Sequence, residues 1–468
     1  MSINDFIRTK SKGRYTNIVE MPHEEGGFGR LYRARDSRRA NIDVCIKVIK
    51  TNLTKNLQMK LWKDEVTALG RYKNRSGIVH LVDEQYEFTE DEAYVFLVMD
   101  YVHGNRLGAS KYQVELNVDE DEAILLIFQL CSVIFSIHQR GDYHQDIFPD
   151  NVKIQGTDLI LLDLGGMREA ERRSGTIIFG GEMYSPPEVS PTRLRMKRFR
   201  TLRKQKMGSF ESADIFSIGA IFYELLMGVQ FFESVDQSNH LKEYVYDYYT
   251  SPDMVKDLRK EYRRAINSAK KNQDHFHEFL QQYQMSPELC RCLAATLSIY
   301  PPERPGIDEL LRYLFPYLLQ RATGYYEQQH WERANLWVMY LERHFHEIGL
   351  EIANENAFLS RKMRQHLLAY FPTYIQGSLI SGNSYFHREQ FDSAHQVFQT
   401  IHEALEEFRT DYTGQQRNTL LLKIMNNLAA CHYKLSRKEE AIHLFETLST
   451  APGNFGQIID RNLQACTA

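Results

Sequence analysis

The sequence is short of the features that mark secreted, fibrous or membrane proteins. Only six cysteines occur in 468 residues, at positions 45, 131, 290, 292, 431 and 466, most of them inside apolar periodic segments. That excludes a disulfide scaffold and predicts free thiols in a reducing compartment, so a cytoplasmic location is expected. Cys290-Arg291-Cys292 is spaced too closely for a usual zinc half-site. No run of eighteen apolar residues occurs, and no membrane span is expected. Met1-Ser2-Ile3-Asn4-Asp5 lacks the apolar core of a secretory signal. With 13 prolines and 26 glycines, the chain is neither collagen-like nor of low complexity. Neither sign of charge dominates: 57 Lys and Arg stand against 61 Asp and Glu, a formal net charge of -4. There is thus no global drive towards nucleic acid, and no nucleic-acid partner is expected. What is present is an ordinary globular composition, 43% hydrophobic, 25% charged and 12% aromatic. At roughly 150 residues per domain it suffices for about three packed units.

Residues 14–100 read as short β-rich runs, clearest at 31–34, 42–49 and 94–99. One segment within them, residues 53–72, has helical spacing through Leu57, Leu61, Val66 and Leu69. From Asp119 onward helices dominate, with long segments at 119–140, 211–228 and 286–298 that begin near acidic or Ser residues. The expected fold is α+β, a small β-rich lobe before a larger helical one. The expected division is a tail over 1–13, a β-rich lobe over 14–102, a helical lobe over 103–315 and an all-α region over 316–468.

Beyond Phe315 strand signals vanish. Three segments share an aromatic residue or His, an Ala nine residues later and an apolar residue four further on. They are Tyr325/Ala334/Val338, Tyr385/Ala394/Phe398 and His432/Ala441/Phe445, with small residues Ala322, Gly382 and Ala429 three before the first member. Paired helices need small residues where backbones approach and bulky ones where they interlock. The pattern resembles tetratricopeptide repeats carrying insertions; an irregular helical bundle is the alternative.

Chemistry is concentrated in an ordered series of polar residues. Glu25-Gly26-Gly27-Phe28-Gly29 is a glycine-rich turn between two strands, where backbone amides can approach phosphate oxygens. Lys47 lies in an otherwise apolar strand, where an unpaired ammonium is costly. Eighteen residues on, Glu65 falls on the helix at 53–72 and can partner it, whether as a phosphate anchor or as a structural salt bridge. Tyr143-His144-Gln145-Asp146 and Asn151 follow the helix at 119–140, and Asp163-Leu164-Gly165 follows the apolar run 159–162. Two carboxylates and an amide can hold Mg²⁺ and orient a hydroxyl. Tyr184-Ser185-Pro186-Pro187-Glu188, Asp214 and Pro302-Glu303-Arg304-Pro305 complete the series.

In this order and at these spacings, residues 14–315 resemble a eukaryotic-type (Hanks-type) serine/threonine protein kinase domain. The resemblance implies a bilobal kinase fold, ATP and Mg²⁺ as cofactors, and a protein substrate. By position, Gly26, Gly27 and Gly29 match the phosphate loop, Lys47 the phosphate-binding lysine and Glu65 its helix partner. Asp146 matches the catalytic aspartate, and Asn151 and Asp163 the metal ligands. Met99, Asp100 and Val102 match the hinge that faces adenine. Glu188 and Arg304 match a buried ion pair, Asp214 the brace of the catalytic loop, and Leu69, His144 and Leu164 an internal stack between the lobes.

There are departures from the pattern. Glu24 replaces the first glycine. Gln145 replaces the arginine before Asp146 that clasps a phosphorylated activation loop, so activity is expected not to depend on phosphorylation of Ser174 or Thr176. Phe148 and Gly181 replace the paired Lys and Thr of serine/threonine kinases, which leaves open a non-protein acceptor or a nucleotide-binding pseudokinase scaffold. The insertion at 190–210, with Arg193, Arg195, Lys197, Arg198, Arg200, Arg203, Lys204 and Lys206, is a solvated loop or a patch for an acidic or phosphorylated protein. The repeats are expected to capture a peptide or protein partner. His-Phe-His-Glu at 275–278 and 344–347 is not expected to bind metal, because residues two apart on a helix face apart.

Overall fold

The structure, a computed structural model, describes residues 3–21, 29–49, 54–88, 93–107, 119–169, 183–188, 210–250, 255–354, 357–408, 415–448 and 454–467. It divides into two units, Met1–Leu311 and Arg312–Ala468.

The first unit opens with helix α1 (Ile3–Lys10) and the strands β1 (Tyr15–Glu20), β2 (Gly29–Asp36), β3 (Ile42–Ile49), β4 (Leu81–Phe88) and β5 (Ala93–Asp100). These form a five-stranded antiparallel sheet in the order β1-β2-β3-β5-β4. Because side chains alternate along a strand, Val44, Ile46 and Val48 of β3 share one face with Tyr32, Ala34, Phe96 and Val98, and Phe6 and Ile7 of α1 complete that core. The expected tail over 1–13 is thus corrected: its helix buries Phe6 to 1% and Ile7 to 0% exposure, worth about 1.5–3 kcal/mol per side chain. Helix α2 (Lys55–Arg71) packs on the sheet, where Trp62 Nε1 donates to Phe96 O at 3.1 Å.

The helical lobe is built around α3 (Glu120–Gln139), whose first turn is capped by the Asp119 carboxylate accepting from Glu122 N. By length and mean hydropathy (1.6) α3 could cross a membrane, but 89% of that window is buried in the fold, so it serves as a core helix. Beside it lies α4 (Phe210–Met227). A Cβ on Gly219 would fall 2.0 Å from Thr296 Oγ1, so glycine is what lets α4 approach the turn after α5 (Pro287–Ala295). In the aromatic stretch 244–249, Tyr244 and Val245 are buried, and the Tyr244 hydroxyl lies 3.0 Å from that of Tyr300. A small antiparallel sheet of β6 (Asn105–Arg106), β7 (Val152–Gln155) and β8 (Asp158–Leu161) carries the residues below the hinge. Gly104 seats that segment: its φ is +113° and a Cβ would lie 2.0 Å from Ile154 O.

In the second unit every element among the described residues is helical. Helix α6 (Ile307–Glu327) runs across the division at Leu311 and Arg312, so the boundary expected at 315 falls inside a helix. It is followed by α7 (Trp331–Asn354), α8 (Ala357–His387), α9 (Phe391–Glu407), α10 (Gln415–Lys434), α11 (Lys438–Leu448) and α12 (Asn454–Thr467). The pairs α6/α7, α8/α9 and α10/α11 share one turn. Gln329, Glu389 and Ser436 have φ of 63°, 60° and 62°. The next amide donates back to Tyr325, Tyr385 or His432 at 2.8, 2.9 and 2.8 Å. Ala334, Ala394 and Ala441 are fully buried, as are Val338, Phe398 and Phe445 to within 1%. A Cβ on Gly382 would lie 2.5 Å from the Phe398 ring, so the small residue there lets the helices touch.

Candidate active site

Strand alternation that sends Val44, Ile46 and Val48 to the sheet core turns Cys45 and Lys47 towards a cleft. Lys47 is held centrally, opposite Leu31 of β2 and Leu97 of β5. Its Nζ donates to Glu65 Oε1 at 2.7 Å and Asp163 Oδ2 at 2.8 Å. The Lys47 and Glu65 side chains are 8% and 3% exposed, while Asp163 keeps 29%. Gly29 passes against this lysine: a Cβ there would meet Lys47 Cγ at 3.0 Å.

Burial opposes the Lys47 charge, but the carboxylates of Asp163 and Glu65 outweigh it and raise its pKa. Burial would raise Asp163 too, yet Lys47 and the Gly165 N–H at 2.8 Å hold it below the usual carboxylate range. Glu65, desolvated and facing the second carboxylate, is pushed up to about 7. Asp163 is therefore the firm anion of the group.

Asp214 organises the loop between α3 and β7. Its carboxylate accepts from His144 N at 2.8 Å, Gln145 N at 2.7 Å and His138 Nε2 at 2.8 Å. These bonds hold Gln145 at φ 65°, costly for a non-glycine residue. The Gln145 amide also donates to Phe210 O at 2.8 Å. Next to it, Asp146 N donates to His144 Nδ1 at 3.3 Å, and Asn151 Nδ2 donates to Asp146 O and Oδ2 at 2.9 and 3.2 Å. Asn151 thus points its amide nitrogen at the loop and has its carbonyl oxygen for other work. Arg304 binds Glu188 through both guanidinium ends at 2.6 and 2.8 Å and also donates to Ser298 O and Ser212 O. Leu69, His144 and Leu164 are each fully buried.

The fold brings together most of the residues singled out in the sequence. Lys47, Glu65, Met99, Asp100, Val102, Asn151 and Asp163 line one cleft, with Asp146 bonded to Asn151 at its edge. Phe148 lines the cleft as well. Glu24, Gly26, Gly27, Ser174, Thr176, Gly181 and the basic run 193–206 lie outside the described residues. No group of three or more metal-binding side chains occurs among the described residues, and His344 of the second His-Phe-His-Glu run faces His366 at 3.1 Å. Sequence reading missed His138, Arg106 and Lys153. Lys153 carries the signal that exposed Lys47, a charge between apolar neighbours in a strand.

The protein kinase domain family model matches residues 24–315. Aurora kinase of Patiria pectinifera is 25% identical over 242 residues, covering 51% of this chain and 54% of that protein. Aurora kinase A-B of Xenopus laevis is 28% identical over 220 residues, 46% of this chain and 48% of that one. Serine/threonine-protein kinase PLK4 of Drosophila willistoni is 23% identical over 332 residues, 69% and 36%. The chain spans about half or less of the length of these curated relatives. With a β-sheet lobe, a helical lobe and a family match over residues 24–315, the chain belongs to the protein kinase domain family.

Proposed function

We propose that the chain is an ATP- and Mg²⁺-dependent protein kinase that phosphorylates Ser or Thr hydroxyls. The observation that carries this is the Lys47 ammonium, set between Glu65 and Asp163 in a cleft whose edge holds Asp146 bonded to Asn151. Structural salt bridging alone accounts for the first pair but not for the second. The donor set suits magnesium: Asp163 and the Asn151 carbonyl offer hard oxygen atoms, and Mg²⁺ takes few protein ligands beside phosphate and water. When bound, the metal would neutralise phosphate charge. Lys47 would align the α- and β-phosphates, Glu65 would keep Lys47 in place, and Gly29, with Gly26 and Gly27, would admit phosphate close to the backbone. Asp146, held by Asn151, would orient the acceptor hydroxyl and take its proton; Met99, Asp100 and Val102 would face the base. The chain's part is positioning and charge stabilisation.

The Ser/Thr assignment rests on similarity to a serine/threonine-protein kinase, although Phe148 in the cleft departs from that class. The second-unit hairpins, read as tetratricopeptide-like, would recruit a peptide or protein or regulate the kinase. The run Arg193–Lys206 would attract an acidic or phosphorylated protein. Six free cysteines fit a cytoplasmic setting.

Radiolabelled ATP with wild type and Asp146→Asn, followed by phosphoamino-acid analysis, tests the assignment. Phosphoserine or phosphothreonine from wild type, with kcat about 10²–10⁴ lower in the variant, is expected. Nucleotide uptake without transfer to any protein would leave the pseudokinase or non-protein-acceptor reading instead.

A further inference from the structure

Helix α2 carries Glu65 to Lys47, and its two halves are tied down at different places. Trp62, Glu65, Leu69 and the capping residue Tyr72 stand at helical spacing and are all buried, so they share one face. Trp62 ties the first half to β5 through Phe96 O. The far end is tied to the other lobe. Tyr72 is 2% exposed, and its hydroxyl donates to Asp142 Oδ2 at 2.7 Å; Arg71 Nη1 donates to the same oxygen. The Arg140 guanidinium lies over the Tyr72 ring, 5.1 Å from its centroid.

Asp142 is where the end of α2 meets the loops of the site. It stands four residues before Asp146. Its short strand, Asp142–Tyr143, pairs antiparallel with Arg168–Glu169, just beyond Asp163-Leu164-Gly165. The Asp142 side chain is 3% exposed. A buried carboxylate is costly unless charge and hydrogen bonds meet it, and the end of α2 supplies both. Moving that end away would strip Asp142 of the Tyr72 hydroxyl and the Arg71 guanidinium together. The fold thus favours the placement of α2 that sets Glu65 at 2.7 Å from Lys47.

We propose that Tyr72 and Asp142 are positioning residues for phosphoryl transfer: by locking the end of α2 to the strand that leads into the Asp146 loop, they hold Glu65 against Lys47. This deepens, and rests on, the kinase reading given above. Neither residue lines the cleft; both act through Glu65.

The test is a double-mutant cycle in the full chain. Turnover of γ-labelled Mg²⁺-ATP, to water and to casein together, is followed with the chain in excess. Wild type, Tyr72→Phe, Asp142→Asn, Glu65→Ala and the double variant Tyr72→Phe, Glu65→Ala are compared. Tyr72→Phe keeps the buried ring and removes only the hydroxyl; Asp142→Asn keeps the shape and removes the charge. Each should lower kcat/KM for ATP about tenfold, the scale of one hydrogen bond to a charged group. In the Glu65→Ala background, Tyr72→Phe should cost less than about twofold more, because the group it positions is gone. A contact that only stabilised the fold would lower activity by the same factor in both backgrounds, and that result would overturn the role. Unchanged activity in both Tyr72→Phe and Asp142→Asn would overturn it too. Wild type that neither binds nor turns over ATP would instead overturn the kinase reading, and this inference with it.

Discussion

Single residues in the first unit are held by more than one partner, and that redundancy gives testable consequences. His144 is buried, its Nδ1 accepts from Asp146 N, and burial pushes its pKa below the ordinary 6.5. The folded state thus binds fewer protons here than the unfolded one. Its contribution to stability is complete above pH 6.5 and is lost as pH falls towards the lowered folded value. Melting curves between pH 7.5 and 5 should decline more steeply for wild type than for His144→Phe; parallel declines would remove His144 as the cause. Gln145 is tied to Phe210 O and Asp214 without any phosphate. The double variant Ser174→Ala, Thr176→Ala should therefore keep its kinase rate, and loss of activity in a folded protein would show that the loop needs phosphorylation after all.

Among the elements, the helical hairpins depend on where side chains are missing. Gly382 on α8 sits under the Phe398 ring, and Phe398 is 1% exposed. Gly382→Ala should destabilise the chain by about 1–3 kcal/mol in urea unfolding. Gly324 on α6 has nothing within 4 Å of its would-be Cβ, so Gly324→Ala should stabilise by about 0.4–1 kcal/mol through the unfolded state. Equal effects at both sites would show that helix contact is not what the glycine serves. Helix α1 is the element that sequence reading missed. Its apolar residues Ile3, Phe6 and Ile7 do stand at i, i+3 and i+4, but eight residues span little more than two turns, too short a window for that period to announce a helix.

For the whole molecule, ligand binding should report as stability. Mg²⁺-ATP at about one hundred times its dissociation constant adds about 2.7 kcal/mol to whatever transition includes the cleft. A matching rise in melting temperature is expected for wild type and not for Lys47→Met, since that change takes away the ammonium facing Asp163. A variant stabilised as much as wild type would remove Lys47 from phosphate binding.

Much of the fold and site was legible because local chemistry leaves marks in the chain. Lys47 stood out as a charge in an apolar strand, α3 as a capped apolar helix, and the hairpin turns through residues repeated around Ala334, Ala394 and Ala441. These follow from rules acting over a few residues: alternation, helical period and the cost of burying charge. Local rules do not say which distant groups meet; the resemblance implied the Glu188–Arg304 pair and the Asp214 brace, and tertiary structure makes the contacts. It brought Asp163 to Lys47 across 116 positions, Glu188 to Arg304 across the same span, and Asp214 under the loop at His144. It also set Arg106 against Lys153 by strand register. Such contacts are chosen by packing and pairing over the whole domain, where a shift of one residue turns a side chain to the other face.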